Sequence, residues 1–285
     1  MIIDSHAHYA HPKYNVEIPY LCEENGEWAI RRADRERLIC EMREAGIVGF
    51  VEPSIGFDAI ESQLSLVSSH SDFMWAAVGV HPTRCFKTEW KNRKRLEGYA
   101  KQVNAIAIGE TGLDYHHDRE EQHRIMQKRW FIYQLKLADK MKLPMVLHIR
   151  MADRDALKIL KRHKRRLHGG VAHCFTGNYQ IAEEYIKLGL AIGIGAKLLD
   201  DDEGRDLREA VAHVSLSSIL VETDAPFVMP EIDEELCRGN ARKKLCNSSF
   251  ILPAIIRKIA QIRGESYETV EEAVYKNTVR VYGLK

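Results

Sequence analysis

Short apolar runs alternate with longer amphipathic segments along almost the whole chain. The apolar runs fall at residues 2–6, 47–53, 73–81, 105–110, 144–148, 170–175, 190–195 and 218–224. Each is rich in Val, Ile, Ala or Gly and is bounded by polar or turn-forming residues, as buried strands are. Between them, residues 32–45, 120–142, 152–166 and 203–214 carry apolar positions at helical spacing. Strand and helix in strict alternation predict a parallel sheet covered by helices. Eight such units in about 250 residues predict an α/β chain closed as a (β/α)8 TIM barrel. An open, doubly wound sheet would want a glycine-rich turn after its first strand. His6-Ala7-His8 stands there instead.

After the eighth run, residues 249–263 and 267–282 read as additional C-terminal helices that close the barrel. With no internal repeat, linker or low-complexity stretch, residues 1–285 are read as a single domain. Two stretches break the rhythm: 9–27, which contains Pro12 and Pro19, and 227–248. Both are expected to be loops. Both follow strands, so both belong on the face where barrel active sites are built.

Composition narrows the function classes. Hydrophobic residues make up 45% of the 285 and charged residues 29%, an ordinary globular balance. The formal net charge of +1 gives no global basic field, so any attraction for phosphate must be local. No apolar run approaches the ~20 residues of a membrane helix. The first strand begins at once, which leaves no room for a signal peptide. Six cysteines, Cys22, Cys40, Cys85, Cys174, Cys237 and Cys246, form no Cys-x-x-Cys pair. A reducing cytoplasm is therefore expected rather than a disulfide framework.

The chemistry collects at the carboxyl ends of the expected strands. The first ends in His6 and His8, the third in His81, the fourth in Glu110, the fifth in His148, the sixth in His173 and the eighth in Asp224. Alternation along a strand points His6 and His8 the same way. Asp4 shares that face and is expected to orient a histidine. In a barrel these ends converge on one mouth. Four histidines and two carboxylates are enough to hold two divalent ions, with Glu110 able to bridge them. Ions ~3.5–4 Å apart suit phosphate-ester hydrolysis. Imidazole and carboxylate donors favour Zn, Mn, Fe or Co over an all-oxygen Mg site, with activity in excess Mg still open.

Gly109-Glu110-Thr111-Gly112-Leu113-Asp114-Tyr115, His148-Ile149-Arg150, His173-Cys174-Phe175-Thr176-Gly177 and Glu222-Thr223-Asp224-Ala225-Pro226 resemble the signature segments of the TatD family of metal-dependent hydrolases. Val78-Gly79-Val80-His81-Pro82 resembles a further one. The segments come in family order over nearly the whole chain. The resemblance implies a barrel of the amidohydrolase superfamily and a divalent-metal deoxyribonuclease; several members are 3′-to-5′ exonucleases. It also implies His6, His8 and Asp224 around one metal, His148 and His173 around the other, and Glu110 between them.

Asp224 is the expected catalytic base, because a carboxylate touching both metal and water is well placed to take a proton. Glu222, two residues earlier on the same face, is a candidate to orient a ligand. Arg150 shares the inward face of His148 and could grip a phosphate with its paired fork, or serve a structural ion pair. His81 is read as a substrate contact rather than a ligand, and His116 and His117 as rim residues after a turn at 112–115. Of the basic clusters, residues 161–166 close a helix at the face opposite the mouth and are read as helix-end cations. Residues 87–95 lie nearer the mouth. Residues 238–244, with Arg238 and Lys243, are best placed to meet a DNA phosphate chain. Arg238-Gly239 matches the family's Arg-Gly pair, but its following Asn-Glu-Pro is absent, and Cys246-Asn247-Ser248-Ser249 stands in its place. The DNA reading competes with an amidohydrolase or small phosphoesterase, and with a non-catalytic metal-binding barrel. Many amidohydrolases bridge their metals with a modified lysine, and Glu110 at that strand end argues against one.

Overall fold

The computed structural model describes residues 1–24, 26–117, 120–201, 204–232 and 244–284. Strand β1 (Ile2–Asp4) is followed by a hairpin, β2 (Ile18–Glu24) and β3 (Glu27–Ala33), then by helix α1 (Arg35–Glu44). Next come β4 (Ile47–Pro53), α2 (Phe57–Ser69), β5 (Met74–Val78), α3 (Arg95–Ala100), β6 (Ala105–Asp114) and α4 (Glu121–Met141). The alternation continues through β7 (Met145–Arg150), α5 (Asp153–Arg162), β8 (Gly170–His173), α6 (Tyr179–Ile186), β9 (Ala191–Ile194), α7 (Arg205–His213) and β10 (Ile219–Val221). Two further helices end the chain, α8 (Leu252–Arg263) and α9 (Tyr267–Tyr282).

Eight strands form one sheet in the order β1-β4-β5-β6-β7-β8-β9-β10, and every neighbouring pair is parallel. The ring closes between its ends through Ser5 N to Val221 O at 3.0 Å and Asp224 N to His6 O at 2.9 Å. This is the (β/α)8 barrel that the alternation predicts. Inside it, Val51, Ala77, Ala107, Val146, Val171, Ala191 and Leu220 make one buried layer, one residue from each strand after the first. Three of them are alanines, and the space they leave is filled by Tyr282 of α9, whose hydroxyl donates to Ser5 O at 3.1 Å. The outer core lies between strands and helices and includes Leu38 and Met42 of α1, Phe131 and Leu135 of α4, and Ile255 and Ile259 of α8.

The stretch expected as a loop at 9–27 is not one. It holds a short 3-10 turn at Pro12–Asn15 and the first strand of the antiparallel β2–β3 hairpin, with Leu21 opposite Ile30. Pro19 is tolerated because it lies on an edge, where its missing N–H breaks no ladder. That edge holds a later segment: Leu21 N donates to Cys246 O at 2.9 Å and Cys246 N to Pro19 O at 3.0 Å. The hairpin also delays α1, which begins at Arg35 and not at 32; the Asp34 side chain caps it by accepting from Arg37 N at 3.0 Å. The 112–115 turn is likewise displaced, since β6 continues to Asp114. Among the described residues no helix is long and apolar enough to cross a membrane.

Gly112 shows how tightly β6 and β7 approach. It sits at φ +143, opposite His148, and an added Cβ would strike the His148 carbonyl. Only glycine adopts this backbone region without strain. Gly112→Ala is expected to lose about 1–3 kcal/mol of stability from overpacking and backbone strain. Denaturant unfolding of the purified variant checks this, and an unchanged midpoint would show that the two strands can part there at no cost.

Candidate metal centre

The inward-facing layer dictates what stands above it. Side chains two residues apart on a strand share a face. Val146 is therefore followed by His148, Val171 by His173, Leu220 by Glu222 and then Asp224, and Ala77 by Gly79 and then His81. His148 and His173 are also direct register partners on β7 and β8. Their Nδ1 and Nε2 atoms lie 3.3 Å apart. His6 and His8 lie beyond the last residue of β1, yet the chain stays tied on both sides, Ser5 N to Val221 O and Ala7 N to Val51 O, each at 3.0 Å. Their Nε2 atoms are 3.2 Å apart.

Glu110 stands between these groups and is almost fully buried. Its Oε1 lies 2.7 Å from His148 Nδ1, 3.0 Å from His173 Nε2 and 3.3 Å from His81 Nε2. Its Oε2 lies 3.6 Å from His6 Nε2 and 3.7 Å from His8 Nε2. Asp224 completes the second group, with Oδ1 3.2 Å from His8 Nε2 and 3.5 Å from His6 Nε2. Among the described residues three overlapping sets of donor atoms are compact enough to hold an ion: His6, His8 and Asp224; His6, Glu110 and His173; and His81, Glu110 and His148. His81 is thus drawn into the cluster rather than standing out in the cleft.

Other side chains fix which ring nitrogens face inward. Asp114 Oδ2 lies 3.1 Å from His148 Nε2, which leaves Nδ1 for the centre. Asp114 is held in turn by the backbone N–H groups of His116 and His117 and by His117 Nδ1 at 2.8 Å. Glu222 Oε1 lies 3.2 Å from His173 Nδ1 and also accepts from Cys174 N. Such partners set tautomer and ring orientation in metal sites. Asp4 does not reach a ring. Its oxygens accept from His6 N, Thr223 N and Oγ1, and Ser249 Oγ, so it fixes the backbone that carries His6 and Asp224. Asp114 went unnoticed in the sequence because Gly112 made 112–115 look like a turn; the period-two spacing from Glu110 was the available signal. Asn247 was also missed. It is buried, and its Nδ2 donates to Thr223 O at 2.7 Å and Val228 O at 3.1 Å.

The backbone bends sharply where the strands deliver these residues. Met151, Cys174 and Asp224 all have φ near +50 without being glycine: 53, 46 and 54. Conformations of this kind persist where surrounding contacts over-determine them, commonly at functional sites.

The electrostatics follow from packing two carboxylates among five imidazoles. Burial pushes Glu110 up, but His81, His173 and His148 outweigh it and hold the carboxyl well below its usual range. Burial and the neighbouring rings keep His6 well below its usual value, so it is neutral. For His8 burial acts downward, but Asp224 and Glu110 lift it to about 9. His148 and His173 are raised as well, against burial, by Asp114 with Glu110 and by Glu110 with Glu222. Lone pairs aimed at one another in a buried space can be reconciled only by protons or by metal ions. The donor set suits a borderline divalent ion. The separations of 3.2–3.5 Å within the His6, His8 and Asp224 group match the ~3.4 Å edge of a tetrahedron built on ~2.1 Å bonds.

Around the centre lies the cleft. Arg150 is exposed at its rim, and its guanidinium makes no ion pair or hydrogen bond among the described residues. Arg238 and Lys243 lie outside the described residues. The 161–166 cluster sits at the start of β8, away from the mouth, where Lys161 pairs with Glu184 and Arg166 with Asp139 at 3.1 Å.

A family model described as TatD-related DNase matches residues 3–283. The chain is 32% identical over 254 residues to the 3′-5′ ssDNA/RNA exonuclease TatD of Pantoea ananatis, covering 88% of this chain and 94% of that protein. It is 33% identical over 253 residues to the enzyme of the same name from Erwinia tasmaniensis, with the same coverage. Among solved structures, the TatD homologue YJJV of Escherichia coli K12 superposes with a TM-score of 0.80 at 25% identity, over 100% of this chain and 98% of that one.

Two outcomes follow from the geometry. Glu110→Ala is expected to lose at least one ion per chain, since both histidine groups lean on that carboxylate; elemental analysis of the purified variant measures it, and full metal content would refute the shared role. Metal binding must also displace protons. His8 is raised to about 9, so at neutral pH the metal-free protein carries a proton there. Affinity should therefore rise with pH until about 9, with proton release on binding. Calorimetry in buffers of different ionisation enthalpy reads this directly, and binding heats independent of buffer would contradict it.

Proposed function

The chain belongs to the TatD-related DNase family, and from that premise we propose that it is a divalent-metal-dependent nuclease that removes nucleotides from the 3′ end of single-stranded DNA or RNA. The reading rests on one observation above the rest: the two oxygens of Glu110 face two different groups of nitrogen ligands. His6, His8 and Asp224 would hold one ion, His148 and His173 the other, and Glu110 would bridge them. The sequences of the named relatives support the nuclease class and its polarity. The scattered cysteines support a reducing cytoplasm as the place of action.

Bound divalent ions supply charge neutralisation to a phosphodiester and lower the pKa of water. What the chain itself contributes is orientation and proton transfer. Asp114 and Glu222 hold the imidazoles of His148 and His173 in the tautomers that turn a lone pair inward. Asp224 sits at the mouth with a side chain that is partly exposed, so a carboxylate oxygen is open to the cleft. There it takes the proton of an attacking water. Arg150, with no side-chain partner among the described residues, offers its fork to a phosphate oxygen. His81 Nε2, beside Glu110 Oε1, is a second group within reach of that phosphate.

Asp224→Asn separates base from ligand, because the amide keeps one coordinating oxygen and the shape but cannot take a proton. Turnover on a 3′-labelled single-stranded oligonucleotide is expected to fall by ~10²–10⁴-fold, while oligonucleotide affinity changes less. Metal content is measured beside both. A variant that keeps its metals and cleaves within a few-fold of the parent would remove Asp224 from the role of base.

A further inference from the structure

Two cavities flank the metal centre, and they differ in chemistry. The larger, about 620 Å³, holds Arg150, Thr176 and the inner faces of His148, His173 and Asp224. The smaller, about 460 Å³, lies on the other side of His8 between the loop after β1 and the start of α2. Its lining includes His11, Glu52, Asp58, Gln63, Arg84 and Phe227. Both are of a size that takes a small organic group.

The smaller cavity is a poor place for a phosphate. Its one arginine, Arg84, lies 4.0 Å from Asp58, and Glu52 adds a second carboxylate. What it offers is aromatic surface. Phe227 is exposed to 40%, although it stands only three residues from Asp224 and is anchored there by its N–H to Asp224 O at 2.8 Å. Its ring meets the His8 ring edge-on at 5.9 Å between centroids and the His11 ring at 5.5 Å, and Lys13 Nζ stands 5.5 Å away. The large apolar ring is thus held in place, wet, beside a metal ligand.

We propose that this smaller cavity is a nucleobase subsite, in which the base of the terminal nucleotide stacks against Phe227. The proposal rests on the nuclease reading and adds to it a place for the outgoing base, on the opposite side of the metals from Arg150. A flat heterocycle matches the aromatic wall, whereas a phosphate or a carboxylate would meet Glu52 and Asp58. Stacking explains tolerance as well: every base has a π-face, so the platform reads the presence of a base and not its identity.

The experiment compares two single-stranded oligonucleotides that differ only in the last 3′ unit, one with a base and one with an abasic tetrahydrofuran residue. The wild-type protein is expected to release the base-bearing unit with a lower KM, by roughly 5- to 150-fold, the range of one base–aromatic stack. Phe227→Ala should bring the two substrates together, and Phe227→Tyr should restore the difference. The side chain is exposed, so a thermal melt of each variant should match the parent. Equal KM values for the two substrates in the wild type, or a preference that survives Phe227→Ala, would overturn the subsite. Absence of any oligonucleotide cleavage by the metal-loaded wild type would instead overturn the nuclease reading. Deoxyadenosine binding, followed by calorimetry without turnover, then decides the subsite alone: weaker binding to Phe227→Ala than to the parent upholds it, and equal binding or none removes it.

Discussion

A carboxylate buried among imidazoles is the constraint on which the mouth of this barrel is built. Glu110 is 2% exposed, and an ionised carboxylate so far from water is tolerable only with charge beside it. His6, His8, His81, His148 and His173 approach it from four strands or strand ends, each within 4 Å. The charge of Glu110 in turn favours the protonated forms of His8, His148 and His173. The neighbouring backbone is shaped for this crowding. A side chain at Gly109 would run into Val146 of β7, so glycine alone lets Glu110 come this close to the strand that carries His148.

No local segment can make such a site. Glu110 comes from β6, His148 from β7, His173 from β8, and Asp224 from beyond β10, while His6 and His8 come from the other end of the chain. The ligands exist as a group only when the barrel is closed, so any ion held there binds the folded state and stabilises it by mass action. The orienting residues obey the same rule. Asp114 reaches His148 across one strand pair, and Glu222 reaches His173 across two.

Much of this was legible in the chain because barrel strands have a period and an end. Val146 to His148 and Val171 to His173 are two-residue steps on a single inward face, and the same step carries Leu220 to Glu222. The inward face that gathers these side chains could therefore be read from the sequence without knowing how the strands pair. The β2–β3 hairpin was not legible. Pro19 and the charged run around Glu23 and Arg31 look like loop, and only the long-range contact with Cys246 shows why that edge is strand. Asp114 was hidden for a related reason: Gly112 signals a turn, but here the missing side chain serves a close strand approach. His81 was read as a substrate contact, and its position at a strand end did not show that its Nε2 lies 3.3 Å from Glu110 Oε1.

The departure from the family pattern after β10 is compatible with an intact centre because the chain on its far side returns to the barrel and repairs the connection. Asp224 sits in a left-handed conformation that needs external support. That support comes from residues 247 and 249: Asn247 grips the carbonyl of Thr223, and Ser249 shares Asp4 with the Thr223 hydroxyl. Segment 246–248 is itself held by the hairpin, through the Leu21, Pro19 and Cys246 backbone bonds and the Ser248 hydroxyl on Leu21 O. The two stretches that break the strand–helix rhythm are thus joined to each other as well as to the site. The backbone that carries Asp224 is thus held by Asp4, Asn247 and Ser249.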